Sequence, residues 1–200
     1  MNPRIESELE RALVRLAAGP RLAVIGSTEF WDAGSPALCE AIAGELAAIE
    51  PLVALTGGMN GVGQTFAEAY ETARKANGLP VNLYHLLPHG TLLQRSGTTL
   101  GAGEDFNQRR EVLGRAAQIY LVIEGGPGTE HEAAVATAHG AALIPVGRSG
   151  GAAGDIYPLL EPLPEAAPDD WRLLGERDVL YTSTAAAVGR IVRTLLQRRS

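Results

Sequence analysis

The stretch Leu121-Val-Ile-Glu-Gly-Gly-Pro-Gly-Thr-Glu-His-Glu132 joins an apolar run to a glycine-rich turn, and an alanine-rich helical pattern follows at 133–139. Glycine lets a ligand approach the backbone closely, and the first N–H groups of a helix have no intrahelical partner. The stretch therefore predicts a buried strand that leads into an anion-binding helix N-terminus. Phosphate is the anion expected at such a site, which indicates nucleotides and similar phosphorylated small molecules as ligands.

Two earlier apolar runs also end in glycine. One run ends at Gly26-Ser27, and the other ends at Gly57-Gly58, in a loop that continues through Gly61. Strands that alternate with helices predict a parallel sheet covered on both faces, which is a Rossmann-like, doubly wound α/β fold. Ligands of such folds bind at the C-terminal strand ends. The three glycine-bearing ends are therefore predicted to line one site, with Gly125-Gly126 as the third.

The remaining pattern predicts one domain over residues 1–200, with a core at about 20–147. Helices are predicted at 4–18 and 35–49, from the end of the glycine loop at Gly63 to about residue 76, and at 104–117, 129–139 and 184–198, the second with Ser35 as its cap. Further strands are predicted at 81–87, 119–123, 141–146 and 178–181. Residues 88–103 are predicted as a loop, 147–154 as a mobile glycine-rich segment, and 158–170 as irregular.

Composition limits the classes of function. The chain is 46% hydrophobic and 20% charged, which is typical of a globular protein. Its formal net charge of −6 argues against a general nucleic-acid binder, so no nucleic-acid polymer is expected as a partner. No apolar run is long enough to span a membrane, and the N-terminus lacks a secretory pattern. The single cysteine, Cys39, is predicted to lie in the core and fits a cytoplasmic location.

No cofactor or metal ion is predicted. Lys75 is the only lysine and lies in a polar helix end, so neither a P-loop nor a pyridoxal phosphate site is indicated. The glycine loops do not match the dinucleotide pattern G-x-G-x-x-G. The four histidines show no metal-ligand spacing and are predicted to be structural or exposed; they are His85, His89, His131 and His139.

Two polar pairs are open to more than one interpretation. Thr129 and Glu132 have the spacing of a capping box, but a carboxylate beside a phosphate site could equally activate a water or hold a ribose. Arg109-Arg110 could bind phosphate through the arginine fork. Adjacent helical residues point about 100° apart, so a solvated position is expected for one of these two arginines.

Gly125-Gly126-Pro127-Gly128-Thr129-x-x-Glu132 resembles the signature G-G-x-G-T-x-x-E of the LOG ("lonely guy") superfamily, proteins long mislabelled as possible lysine decarboxylases. Arg109-Arg110 fall where that family carries an Arg-Lys pair. Gly26-Ser27 resembles its first-strand Gly-Ser, and Gly57-Gly58 resembles its second glycine loop. The resemblance covers roughly residues 20–147.

The best-known LOG proteins are phosphoribohydrolases, which release the base and ribose 5-phosphate from AMP or from cytokinin riboside 5′-monophosphates. The resemblance implies that the turn from Gly125 to Thr129 holds the 5′-phosphate. It implies that Glu132 acts on the attacking water or the ribose hydroxyls, and that Arg109 orients Glu132. It also implies a homodimer or a higher homo-oligomer.

The chain departs from the LOG pattern at several positions. Glu124 stands where the cytokinin enzymes usually have proline, and Arg110 replaces the family's lysine. Met59-Asn60 and Ala117-Gln118 also differ. These departures favour an alternative, a non-catalytic carrier or sensor of a phosphorylated pterin or a nucleotide. Retention of Glu132 and Arg109 favours the enzyme. A Rossmann-like domain whose glycines serve only tight turns is disfavoured, because three glycine sites share one sheet edge.

Overall fold

A computed structural model describes residues 3–91 and 96–198. Its strands are β1 (Arg21–Gly26), β2 (Val53–Thr56), β3 (Leu83–Leu87), β4 (Thr98–Gly101), β5 (Ile119–Ile123) and β6 (Ala142–Pro145). In the described part of the chain they form one parallel sheet in the order β4-β3-β2-β1-β5-β6. The order reverses between β1 and β5. The predicted Rossmann-like α/β fold is confirmed.

Eight α-helices flank this sheet within the described residues. They are α1 (Pro3–Leu13), α2 (Ser35–Ala47), α3 (Val62–Ala76), α4 (Phe106–Leu113), α5 (Pro127–Ala138), α6 (Gly151–Ile156), α7 (Pro168–Gly175) and α8 (Tyr181–Arg198). Short 3-10 helices occupy Gly147–Ser149 and Tyr157–Leu159. Among residues 3–91 and 96–198, no helix has the length and apolar character needed to cross a membrane.

Alternating side chains divide the core into two layers. Leu22 and Val24 of β1 pack with the helices α2, α3, α7 and α8. Ala23 and Ile25 of the same strand pack with α1, α4 and α5 on the opposite face. Successive strand residues point to opposite faces, so a strand buried on both sides has to be apolar throughout. Cys39 of α2 is fully buried, as predicted.

Two strand predictions were wrong. β4 lies inside the predicted loop 88–103, of which residues 92–95 fall outside the described part. Its register pairs Leu86 with Leu100, and Leu100 is the buried residue of this short edge strand. The strand predicted at 178–181 does not form. Residues before Tyr181 form bends, and α8 begins at Tyr181.

Predictions about helix starts and the glycine-rich segment also need correction. Gly34, not Ser35, is the N-cap of α2, and Ser35 is its first, buried residue. The segment 147–154 is a 3-10 turn followed by α6, not a mobile loop. The backbone N–H groups of Ala152 and Ala153 donate to the carbonyls of Gly125 and Glu124, at 2.7 and 3.0 Å. These bonds fix α6 against the glycine turn.

Candidate functional site

A cleft of about 350 Å³ lies at the C-terminal ends of β1, β2 and β5. This is where the strand order reverses, which is the usual ligand position in doubly wound sheets. Nine of the twelve predicted site residues line it: Gly26, Ser27, Gly57, Arg109, Arg110, Gly126, Gly128, Thr129 and Glu132. The cleft volume falls within the roughly 300–1,000 Å³ range of small-molecule sites.

The other three predicted residues, Gly58, Gly61 and Gly125, shape the backbone behind the cleft wall. Each has a positive φ, of 64°, 66° and 101° respectively, which favours glycine. A Cβ on Gly61 would lie 2.5 Å from the carbonyl oxygen of Ser27, and one on Gly125 would lie 2.6 Å from the side chain of Thr129. These glycines therefore permit close backbone packing.

The N-terminus of α5 opens onto the cleft. Gly126 is the N-cap, and no side chain caps this end of the helix. Thr129 lies within the first turn, where its N–H donates to the Gly126 carbonyl at 2.9 Å. The capping-box interpretation of Thr129 and Glu132 is therefore wrong. A helix N-terminus without a side-chain cap retains N–H donors and a positive end of its dipole for an anion.

Arg109 and Glu132 form a buried ion pair in the cleft. The Arg109 Nη1 donates to the Glu132 Oε1, and the two residues are 5% and 6% exposed. Burial raises the pKa of the Glu132 carboxyl above its ordinary value, although the charges of Arg109 and Arg110 oppose the rise. The Nε atom of Arg109 is buried without a hydrogen-bond partner, and its guanidinium lies over the Phe106 ring.

Gly57 makes room for this guanidinium. A Cβ at position 57 would lie 2.9 Å from Nη1 of Arg109. Gly57 is not among the glycines with positive φ, so its backbone conformation does not require glycine. Glycine is needed here because a side chain would occupy the space of the guanidinium. The second glycine loop therefore positions Arg109 from the end of β2.

Arg110 also lines the cleft, but it is more exposed than the buried Arg109, in keeping with the expectation that one of the two arginines is solvated. It is partly exposed, and its Nη1 donates to the Asn107 Oδ1 at 3.1 Å. A Cβ on Gly128 would lie 3.1 Å from its Nε. The absence of a side chain at Gly128 thus lets an arginine fork lie beside the N-terminus of α5, an arrangement suited to phosphate.

Glu124 ties the ends of β5 and β1 together. Its carboxylate is fully buried and accepts hydrogen bonds from the Ser27 hydroxyl, at 2.5 Å, and from the backbone N–H groups of Trp31 and Asp32. Its own backbone N–H donates to the Ser149 Oγ at 2.8 Å. The carboxylate thus bonds to the loop after β1, and its charge is stabilised by these donors. Glu124 has a φ of 51°, an unusual value for a residue with a side chain.

Several cleft residues were missed by the sequence reasoning. They follow β1 or β2 in the two loops, and they are Thr28, Glu29, Trp31, Met59 and Asn60. Trp31 is 61% exposed. A loop residue without periodic neighbours gives no pattern, so only proximity to a glycine-bearing strand end could have indicated these positions. Among the described residues, no group of three or more potential metal ligands of the His, Cys, Asp or Glu type occurs.

Solved structures with this fold share little sequence with the chain. TM1055 has a TM-score of 0.60 at 22% identity, with 72% of this chain and 83% of that one covered. The Moco carrier protein of Chlamydomonas reinhardtii has a TM-score of 0.56 at 16% identity, covering 88% and 99%. The molybdenum cofactor binding protein of the phototrophic bacterium Rippkaea orientalis has a TM-score of 0.50 at 20% identity, covering 63% and 75%. At these identities the likeness shows the fold.

One family model matches most of the chain. No curated protein matches the chain. The family model described as the SLOG cluster4 family matches residues 20–157, which is well over half of the chain and includes the whole cleft. The SLOG superfamily includes LOG-like proteins and Moco carriers, so the resemblance drawn from the glycine motif is supported at the superfamily level. The chain belongs to the SLOG cluster4 family.

Proposed function

We propose that the cleft hydrolyses the N-glycosidic bond of a nucleoside 5′-monophosphate, releasing the base and ribose 5-phosphate. The observation that carries this proposal is the buried Glu132 carboxylate. Arg109 holds it in the cleft, within the first two turns of α5. A carrier that only binds its ligand has no need of a buried carboxylate beside the anion site.

The proposed phosphate position is the N-terminus of α5. Backbone N–H groups near Gly126 and Gly128 and the guanidinium of Arg110 surround it. Phosphate bound there would fix the ribose toward Glu132, because both groups line the same cleft. Holding the substrate at one end removes much of the entropic barrier at the reacting end.

Glu132 would act at the ribose. As the C1′–N bond breaks, its electron pair leaves with the base and positive charge develops on the sugar, as in other glycoside cleavages. A fixed carboxylate stabilises that charge and accepts a proton from the water that attacks C1′. The raised pKa of Glu132 strengthens it as a base. The departing base takes up, through solvent, a proton that replaces the one given to Glu132, so base and ribose 5-phosphate account for all atoms of substrate and water.

A second candidate is a binding or carrier protein for a phosphorylated pterin or a nucleotide. The likeness to the Chlamydomonas reinhardtii Moco carrier favours it, because that fold extends over 88% of this chain and 99% of the carrier. Both candidates place a phosphate at the same helix N-terminus. They differ in whether Glu132 performs chemistry.

Incubation with AMP and with N6-isopentenyl-AMP tests the proposal, with free base measured by chromatography and mass detection. We expect base release by the unaltered protein and none by Glu132→Gln, while AMP binding is largely kept. Glu130→Gln is the matched control, since Glu130 is an exposed residue of the same helix. Ligand binding without base release in the unaltered protein would support the carrier instead.

Three further expectations remain predictions: a homodimer or a higher homo-oligomer, a cytoplasmic location and no nucleic-acid polymer as partner. Size-exclusion chromatography with light scattering tests the first of these directly. A monomer at micromolar concentration would contradict it.

A further inference from the structure

Trp31 is an exposed aromatic residue on the cleft wall. The chain has two tryptophans, and the other, Trp171, is only 5% exposed. Trp31 lines the cleft although it is 61% exposed. A flat ligand can cover an indole ring that is exposed at a polar cleft. Burial of apolar surface and ring stacking would then stabilise the complex.

A buried carboxylate fixes the backbone of this tryptophan. The Trp31 N–H lies 3.3 and 3.2 Å from the two oxygens of Glu124, and the neighbouring Asp32 N–H lies 3.2 Å from one of them. Glu124 itself lies at the end of β5 and is fully buried. The loop that carries Trp31 is therefore attached to the rigid centre of the sheet, which reduces the entropy lost when a ligand covers the ring.

Glycines on the facing segments let the indole lie close to the proposed phosphate position. A Cβ on Gly151 would lie 2.5 Å from Cζ3 of Trp31, and a Cβ on Gly126 would lie 3.8 Å from Cζ2. Gly126 is the N-cap of α5. The ring is thus beside the backbone that would bind the phosphate, and it faces the same cleft.

We infer that Trp31 is the stacking platform for a flat heteroaromatic ring of a phosphorylated ligand, with Glu124 as its positioning residue. This inference rests on the phosphorylated ligand class of the proposed function and adds the ring contact to it. A nucleobase and a pterin share that chemistry, and both present a π-face to an aromatic side chain. The stacking contact is therefore common to the two candidate functions, and the affinities for a nucleobase and for a pterin show which ring the site prefers.

Calorimetric binding of three ligands tests this inference. Formycin 5′-monophosphate is an isostere of AMP whose base is attached by a C–C bond, so hydrolysis does not consume it. A phosphorylated pterin represents the other source of a ring, and ribose 5-phosphate lacks a ring. We expect Trp31→Ala to weaken the preferred ring ligand about tenfold or more, in line with base–aromatic stacking. Trp31→Phe should restore most of the affinity, and ribose 5-phosphate should bind all variants alike.

The control is Leu159→Ala, which removes an exposed apolar side chain outside the cleft and should leave all three affinities unchanged. The ring ligand that binds more tightly identifies the source of the ring. Equal affinity of the unaltered protein and Trp31→Ala for both ring ligands would overturn the inference, as would failure of both to bind. Base release does not enter this measurement, so failure of the proposed hydrolysis is recognised separately.

The positioning role of Glu124 is tested by the ratio of the affinity for the ring ligand to the affinity for ribose 5-phosphate. We expect Glu124→Ala to weaken the ring ligand more than ribose 5-phosphate, because the loss of position affects the ring contact first. Glu124→Gln retains an acceptor oxygen and should restore part of this ratio. A role in folding alone would lower both affinities equally and would contradict the positioning role.

Discussion

The Ser27 hydroxyl donates a 2.5 Å hydrogen bond to the Glu124 Oε2, which joins the end of β1 to the end of β5 where the strand order reverses. Both residues are buried, at 6% and 0% exposure. Glu124 stands where the LOG pattern usually has proline, and it brings a negative charge close to the proposed phosphate site. The structure turns its carboxylate toward hydroxyl and backbone N–H donors, so the charge is stabilised by the loop after β1.

Glu124→Ala should lower the stability of the whole domain. It leaves the Ser27 hydroxyl and two backbone N–H groups without their acceptor, and we expect a loss of about 2–3 kcal/mol in the free energy of unfolding. Urea denaturation at neutral pH measures it. Glu40→Ala, at an exposed position of α2, is the matched control and should change stability little. An equal effect of both variants would contradict the role of this carboxylate.

Arg109→Ala should raise the pKa of Glu132 further, because the carboxyl remains buried after its counter-charge is removed. Carbon-13 NMR titration of the Glu132 carboxyl measures this shift. A folded-state pKa above the unfolded value means that the folded protein binds the proton more tightly. The variant should therefore lose stability, relative to the unaltered protein, as pH rises from 4.5 towards the raised pKa. Arg172→Ala, at an exposed arginine, is the control; an unchanged titration in Arg109→Ala would disprove the coupling.

Gly57→Ala should displace the Arg109 guanidinium without unfolding the protein. The added Cβ would lie 2.9 Å from Nη1, and a flexible side chain can move away. We expect base release to fall at least about tenfold, equivalent to roughly 1.4 kcal/mol of transition-state stabilisation. Gly44→Ala is the control, since nothing lies within 4 Å of its Cβ position in helix α2. That substitution should raise stability by about 0.5–1 kcal/mol and leave activity unchanged. Normal activity in Gly57→Ala would contradict the role of Gly57 in leaving space for the Arg109 guanidinium.

Glu8→Gln should make the stability of the protein less dependent on acid pH. Burial alone would raise the pKa of Glu8, but hydrogen bonds from His89, at 2.7 Å, and from the Gly103 N–H, at 3.1 Å, outweigh it and lower the pKa. A lowered folded-state pKa gives stability that is present above the unfolded value and is lost as pH falls through the folded value.

We therefore expect Glu8→Gln to lose about 1–2 kcal/mol at pH 7 and much less at pH 3, by denaturant unfolding at both values. Glu10→Gln, at an exposed residue of the same helix, serves as its control. The same loss at both pH values would show that the charge of Glu8 does not contribute.

Strong periodic patterns made most of the sheet predictable. Residues 22–25 and 119–123 are continuous apolar runs that lie just before glycines, and both form the expected strands, Arg21–Gly26 and Ile119–Ile123. β4 was missed because Thr98–Gly101 is short, partly exposed and set among glycines, so the pairing with β3 decides its conformation. The segment from Asp178 to Tyr181 has strand-like residues, but bends at its start and the N-terminus of α8 replace the expected strand.

The glycine positions of the cleft were predictable, but its side-chain partners were not. A strand end followed by glycines indicates a ligand site from local sequence alone. The contact between Glu124 and the loop at Trp31 joins residues more than ninety positions apart, and no local pattern encodes it. The same reason explains why the segment 147–154 was interpreted as mobile. Its bonds to Gly125 and Glu124 become visible only when β5 and α6 are placed together.

The pairing of β1 with β5 has a consequence for how the domain is made. One wall of the cleft comes from residues 24–63 and the other from 109–132, and the register Leu22 with Ile119 brings them together. A nascent chain that ends before α4 lacks the whole of the second wall. Closing so long a loop loses entropy that only the finished sheet recovers. An occupied cleft therefore stabilises the completed domain as a whole, since neither half can retain the ligand alone.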